Sequence, residues 1–267
     1  MKGLLALLEP PTPPPPQKSR KRVFVVLLTV LLVSVLVFAL VIVFPPVTNP
    51  PSLQITSFDW SGYSVASDLN NPQPQATSVS ASWKIPALSV SAGSAFSAAW
   101  IGVGGQYDET LIQTGTKHDS VSGQSAYSAW YELLPYDSVA IDSLSVSPGD
   151  VITASISLLN QDTNTWSIEI NDTTSGQSFK KNVIYTSSML SAEWIVERPT
   201  VNNRITTLAN FGQITFTDCK ATIDGKAGTI NNFPSNRFTM QNRQNIELVT
   251  VSALSSGGSS FKVNYLG

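Results

Sequence analysis

Ala192-Glu193-Trp194-Ile195-Val196-Glu197-Arg198-Pro199 is the stretch from which the rest of the chain is read. Trp, Ile and Val suit a pleated, half-buried surface, and Pro199 ends the run. Side chains alternate along a strand, so Glu193, Ile195 and Glu197 share one face while Trp194 and Val196 share the other. A second stretch, Leu111-Ile112-Gln113-Thr114-Gly115-Thr116, sets one uncharged amide among apolar and small residues. Similar short runs recur at Ser78–Ile85, Phe96–Val103, Tyr127–Leu134, Val151–Leu159, Trp166–Asn171, Gly212–Thr217, Glu247–Ser252 and Phe261–Tyr265. Turn sequences such as Ser147-Pro148-Gly149-Asp150, Thr174-Ser175-Gly176-Gln177 and Asp224-Gly225-Lys226 separate them. No helical period is sustained, and no internal repeat is present. The pattern predicts an all-β fold, an antiparallel two-sheet β-sandwich. In 127–134, Trp130 and Glu132 lie opposite Tyr131 and Leu133. One sheet face therefore collects acids and aromatics, as a substrate groove would.

The N-terminal part reads differently. Residues 10–16 are Pro-Pro-Thr-Pro-Pro-Pro-Pro, which cannot form a packed core. Lys18, Arg20, Lys21 and Arg22 follow, then an apolar run from Val23 to Phe44 broken only by Thr29 and Ser34. At about 1.5 Å per residue that run is long enough to cross a hydrocarbon core of roughly 30 Å. It ends in Phe44-Pro45-Pro46 without a small-residue cleavage site, which favours an uncleaved signal anchor over a signal peptide. The basic cluster precedes the helix, so a cytoplasmic N-terminus and an extracellular domain are expected, single-pass in the cell membrane. The expected division is a cytoplasmic tail 1–22, a transmembrane helix 23–44, a Pro-rich linker 45–54 and a β-sandwich 55–267.

Composition narrows the chemistry. From Ser52 onward there are 17 Asp+Glu and 11 Lys+Arg, a difference of −6. The basic cluster belongs to the membrane flank, so no nucleic-acid partner is expected. A surface rich in Ser, Thr, Asn and Gln gains little charge in acid, which suits an acidic exterior. Cys219 is the only cysteine, so no intrachain disulfide framework exists. Asn171-Asp172-Thr173 is a glycosylation sequon. His118 is the only histidine, in a polar Thr116-Lys117-His118-Asp119 stretch that reads as a turn. One histidine removes His-rich zinc sites, and there is no Gly-x-Ser-x-Gly elbow. A Cys219–His118 pair and a Ser-Lys dyad stay open, though Cys219 reads as a half-buried thiol at a strand end. Gly102-Val103-Gly104-Gly105 lacks the Lys and helix of a phosphate loop and reads as a turn. Carboxylate chemistry is the leading remaining option: a Glu as general base on water, with Gln as a non-titrating donor and acceptor. No cofactor and no metal are called for.

At these residues the chain resembles the glutamic peptidases, the eqolisin or scytalidoglutamic-peptidase-like family. Trp60-Ser61-Gly62-Tyr63, Trp83-Lys84-Ile85-Pro86, Trp100-Ile101-Gly102-Val103-Gly104-Gly105, Leu111-Ile112-Gln113-Thr114-Gly115, Tyr127-Ser128-Ala129-Trp130-Tyr131-Glu132, Pro148-Gly149-Asp150 and Ala192-Glu193-Trp194-Ile195-Val196-Glu197 are similar to the family's motifs and fall in its order. The resemblance implies a concanavalin-like jelly-roll sandwich with its site on a concave face. It implies that Gln113 and Glu193 are a catalytic pair, with Trp100, Tyr131 and Glu197 at substrate-binding positions. It further implies a monomeric catalytic domain acting on polypeptides, an acid endopeptidase. The chain departs from fungal members at Gly104 and near Lys117, where they carry acids, at Asp59, where Asn is usual, and in having no disulfides.

An unperturbed Glu titrates near 4.3, so catalysis by Glu193 predicts an acid working range. Taken alone, Gln113 reads as a strand polar residue, Glu193 and Glu197 as a solvated face, and the tryptophans as core. The rival reading is a non-catalytic surface β-sandwich that binds glycans or a partner protein through the same groove.

Overall fold

The computed structural model describes residues 50–90, 92–201 and 204–267. The expected cytoplasmic tail 1–22, the expected transmembrane helix 23–44 and the first half of the expected linker 45–54 lie outside them. Among the described residues no helix is long and apolar enough to cross a membrane.

Eighteen strands follow one another: β1 (Ser52–Ser57), β2 (Trp60–Val65), β3 (Ala76–Lys84), β4 (Ala95–Gly104), β5 (Leu111–Val121), β6 (Gln124–Leu133), β7 (Val139–Ala140), β8 (Val151–Asn160), β9 (Thr165–Asp172), β10 (Gln177–Ile184), β11 (Ala192–Glu197), β12 (Thr200–Val201), β13 (Arg204–Ile205), β14 (Gln213–Ile223), β15 (Lys226–Gly228), β16 (Ser235–Gln241), β17 (Glu247–Val251) and β18 (Phe261–Tyr265). A single 3-10 turn, Ile230–Asn232, is the only helical element among the described residues. Fourteen strands hydrogen-bond in the order β10-β9-β8-β3-β14-β18-β17-β16-β2-β11-β4-β5-β6-β7. This path doubles back on itself. β3 packs on β4 and β11, β8 on β4 and β5, and β14 on β11, while β17 and β18 reach β2 at the bend. The expected two-layer sandwich results.

The layers meet in a core that includes Trp83, Trp166, Trp194, Phe216 and Phe261. Each large ring removes about 150–250 Å² from water, roughly 4–6 kcal/mol as an upper figure. Three indole N–H groups buried there are satisfied: Trp83 donates to Thr116 Oγ1 at 3.0 Å, Trp166 to the Tyr185 carbonyl at 3.0 Å and Trp194 to the Ser80 carbonyl at 2.9 Å. The two-residue period is plain in β8, where Ile152, Ala154 and Ile156 are buried between partly or fully exposed neighbours.

Three local expectations need correction. The linker was drawn to residue 54, but Ser52–Ser57 is a strand paired in parallel with β16. The 116–119 stretch is no turn: β5 continues to Val121, and His118 is fully buried within it. Thr116 Oγ1 accepts from Trp83, so its own hydrogen is free to go to His118 Nε2, 2.9 Å away. That leaves Nδ1 as the protonated nitrogen, and it has no partner. Cys219 is fully buried inside β14, beside a register shift, and burial pushes its thiol far up. Neither residue is available as a nucleophile or base.

Close packing leaves no room for a side chain at Gly115. A Cβ there would lie 2.2 Å from the Ala99 carbonyl oxygen, 2.6 Å from Trp100 Cβ and 2.8 Å from its Cα. Because backbone atoms cannot move aside cheaply, Gly115→Ala is expected to destabilise the domain by about 3 kcal/mol or more. A thermal melt of the variant against wild type checks this.

Candidate active site

β11, β4, β5 and β6 lie side by side, and their registers align one lateral row. Glu193 faces Gly102 across β11 and β4; Gly102 faces Gln113; Gln113 faces Glu132. On the other side Glu193 faces Ser64, and Ser64 faces Asn236. Paired residues share a face, so Asn236, Ser64, Glu193, Gln113 and Glu132 all project to one side, with a glycine between the acid and the amide. Gln113 and Glu193 are thus two strands apart, about 9.5 Å between backbones at ordinary strand spacing.

The next row on the same face is aromatic and apolar: Trp130, Gly115, Trp100, Ile195, Gly62 and Phe238. Trp60 packs edge-on against Trp100 at 5.1 Å and Phe238 at 6.0 Å. Beyond it lie Lys117, Ala98, Glu197 and Trp60. A cleft of about 650 Å³ opens over these rows, and Gln113, Glu132, Glu197, Trp100 and Lys117 are among its lining residues.

The structure brings four of the five sequence-predicted residues to this face. Gln113 lines the cleft, and its Nε2 donates to Glu132 Oε2 at 2.5 Å while its Oε1 is buried without a partner. Trp100 Nε1 donates to Glu197 Oε2 at 2.7 Å. Glu193 shares their face but is fully buried, and neither carboxyl oxygen has a hydrogen-bond partner. The segment after β4 gathers around it: Gln106 accepts from the Ser64 hydroxyl, and Asn236 Nδ2 approaches Tyr107 Oη at 3.4 Å. Tyr131 is not brought in. It sits on the opposite face of β6, within the inter-sheet core, stacked on Phe179 and accepting from Lys181 Nζ at 2.8 Å.

Electrostatics divide along the same lines. Burial holds the Glu193 carboxyl protonated well above the usual carboxylate range, with the nearby Ser191 hydroxyl opposing and Asp108 adding to the effect. The ordinary glutamate expected from the sequence is therefore not what this fold supplies. Burial raises Glu197 to about 7, against the lowering effect of the Trp100 indole, with Asp59 and Glu132 raising it further. Glu132 and Asp119 are also raised by burial, each partly offset by Lys117. Lys117 reaches Ser138 Oγ at 2.8 Å and lies 5.5 Å over the Trp130 ring. Sequence reading placed Glu132 on the groove face without giving it a role, and passed over Lys117 and Asp119 as site residues. Strand parity carried the signal, since 117 and 119 share the face of 113 once β5 is extended past Thr116.

A two-layer β-sandwich with an amide and a buried carboxyl in one lateral row is the class of molecule this geometry defines. The Peptidase A4 family matches residues 59–265, and the chain belongs to that family. It is 32% identical over 173 residues to aspergillopepsin-2 of Aspergillus niger, across 63% of this chain and 58% of that protein. It is 28% identical over 177 residues to scytalidopepsin B of Scytalidium lignicola, across 62% of this chain and 66% of that one. The matches therefore span less than two thirds of either relative's length. In fold it is similar to scytalido-glutamic peptidase bound to a transition state analog inhibitor, with a TM-score of 0.66 at 24% identity, covering 79% of this chain and 99% of that one. Aspergilloglutamic peptidase from Aspergillus niger gives 0.57 at 26% identity, over 64% of this chain and 99% of that one. The resemblance drawn from the ordered motifs is borne out.

The raised carboxyls have a stability consequence. Each keeps its proton in the folded chain at pH values where the unfolded chain has released it. Their contribution is full below about 4.5 and is lost as pH rises through about 7 for Glu197. His118 acts oppositely: burial lowers it to about 3, so its contribution is full above 6.5 and is lost as pH falls toward 3. Melting scans are expected to show Tm highest in mild acid and falling toward about pH 8. Glu197→Gln should flatten the fall on the alkaline side, and His118→Leu the fall on the acid side.

Proposed function

We propose that the domain is an acid endopeptidase in which Gln113 and Glu193 act together on a peptide bond. The observation that carries this reading is the lateral row: an amide and a carboxyl on one face, separated by a residue without a side chain, beside an aromatic-walled cleft. Membership of the Peptidase A4 family supports it. In the reading, substrate and one water settle over Gly102, between the two side chains. Glu193, ionised once solvated, takes a proton from the water as its oxygen attacks the carbonyl carbon. Gln113 Nε2 donates to the oxyanion that forms. Glu193 then returns the proton to the leaving amine as the C–N bond breaks. Trp100 and Glu197, joined by their hydrogen bond, form a wall against the substrate chain.

The pH dependence follows in sign. A base works above its pKa, and burial raises that of Glu193, so the rate should fall in strong acid at a pH above that of an ordinary glutamate. The maximum is expected on the acid side of neutral. An extracellular position for the domain, held by residues 23–44, is part of the proposal and places it where acid can reach it.

Glu193→Gln and Gln113→Ala are each expected to lower turnover of a denatured protein substrate by about 10³-fold or more with melting behaviour retained. Retained cleavage in either folded variant would overturn the pair assignment. A wild-type rate that stays level as pH falls from about 5 to about 3 would overturn Glu193 as the base. If wild type cleaves nothing at any acid pH while folded, the glycan- or protein-binding sandwich is the better reading.

A further inference from the structure

We propose that Glu132 is a positioning residue which decides, by whether it carries a proton, which end of the Gln113 amide is left free for the substrate. This rests on Gln113 acting as the oxyanion donor.

The primary amide has two unlike ends: Nε2 can only donate and Oε1 can only accept. In the structure Nε2 is committed to Glu132 Oε2 at 2.5 Å, and Oε1 is buried with nothing to accept from. This is the arrangement an ionised Glu132 dictates, because a carboxylate has no proton to offer and draws the donor end toward itself. It leaves the acceptor end, not the donor end, uncommitted. A carbonyl oxygen offered to a developing oxyanion repels it, and only one of the two Nε2 hydrogens is left over. A protonated Glu132 has a hydrogen to give. Donated to Oε1, it turns the amide over, satisfies the orphaned acceptor and frees both Nε2 hydrogens.

The surroundings favour that exchange in mild acid. Glu132 lines the cleft together with Lys117 and Asp119 of β5, Asp137 of the segment after β6 and Glu197 of β11. Burial raises its carboxyl; the Gln113 amide and Lys117 oppose this, and Asp137 adds to it. The alkaline limit of activity is then the loss of the Glu132 proton, independent of the acid limit set by Glu193.

The test is the pH profile of kcat for the full chain on a denatured protein substrate. In Glu132→Gln the new amide can always donate to Gln113 Oε1, so it imitates the protonated acid permanently. Activity in acid is expected to stay within about threefold of wild type, with the alkaline limb moved up by a pH unit or more. Glu132→Ala should lower kcat throughout and lose the wild-type alkaline step. Glu132→Gln with an unmoved alkaline limb, or as inactive in acid as Glu132→Ala, would overturn the proposal. Should either variant fold poorly, the side-chain amide signal of Gln113 in the wild-type chain, followed by NMR, should shift with the alkaline limb; a signal constant through that range would overturn it. Gln113→Ala separates the two readings. If it abolishes turnover while Glu132→Gln leaves the profile unmoved, only the role of Glu132 fails; if Gln113→Ala stays active, the catalytic pair fails first.

Discussion

Strand register is the constraint on which the rest depends. The side-chain period of a strand is two, so slipping β11 by one residue against β4 would send Glu193 into the inter-sheet core and Trp194 out under the cleft. Both faces of β11 hold the register. Trp194 is locked into the core through the Ser80 carbonyl, and on the other face Glu197 receives the Trp100 indole. Ser61 Oγ adds a bond to the Val196 carbonyl at 2.9 Å. With that register fixed, six residues from six strands fall into one line. The site is a property of the sheet, not of its loops.

The same register explains the uneven electrostatics. Gln113 and Glu132 border an open cleft, whereas Glu193, two strands away in the same row, is fully buried. One row thus contains an accessible acid and a buried one. A fully buried carboxyl whose oxygens have no hydrogen-bond partner keeps its proton, because ionisation there has too little to replace lost hydration. The apolar second row, with Trp100, Trp130, Ile195 and Phe238, supplies the low-polarity wall.

Much of this was legible in the sequence, and parity was the most dependable guide. Alternation placed Glu193, Ile195 and Glu197 together, and placed Trp130 and Glu132 opposite Tyr131; the structure agrees on both. Family resemblance carried Tyr131 toward the site, but its side chain points into the core, as parity alone had indicated. Burial was less legible. His118 in a polar tetrapeptide looked exposed, yet the β4–β5–β6 ladder runs past Thr116 and takes it inside. Glu193 looked like an ordinary surface acid, because a one-dimensional pattern does not show what folds over a sheet. Strands β1, β2, β10 and β16 were missed since polar residues and glycine make up half or more of each; tertiary pairing, more than propensity, makes them strands.

The first of those missed strands has a mechanical side. β1 is the one strand of the main sheet laid parallel to its partner, matched to β16 at six positions from Ser52 to Ser57, with the Ser235 amide also reaching back to the Pro51 carbonyl. A pull along the strand axis strains all of these rungs together, whereas a pull across it would open them in turn like a zipper. Tension entering in line with β1 therefore meets a shear joint, spread over the strand's length and set on the far side of β16 and β2 from β11.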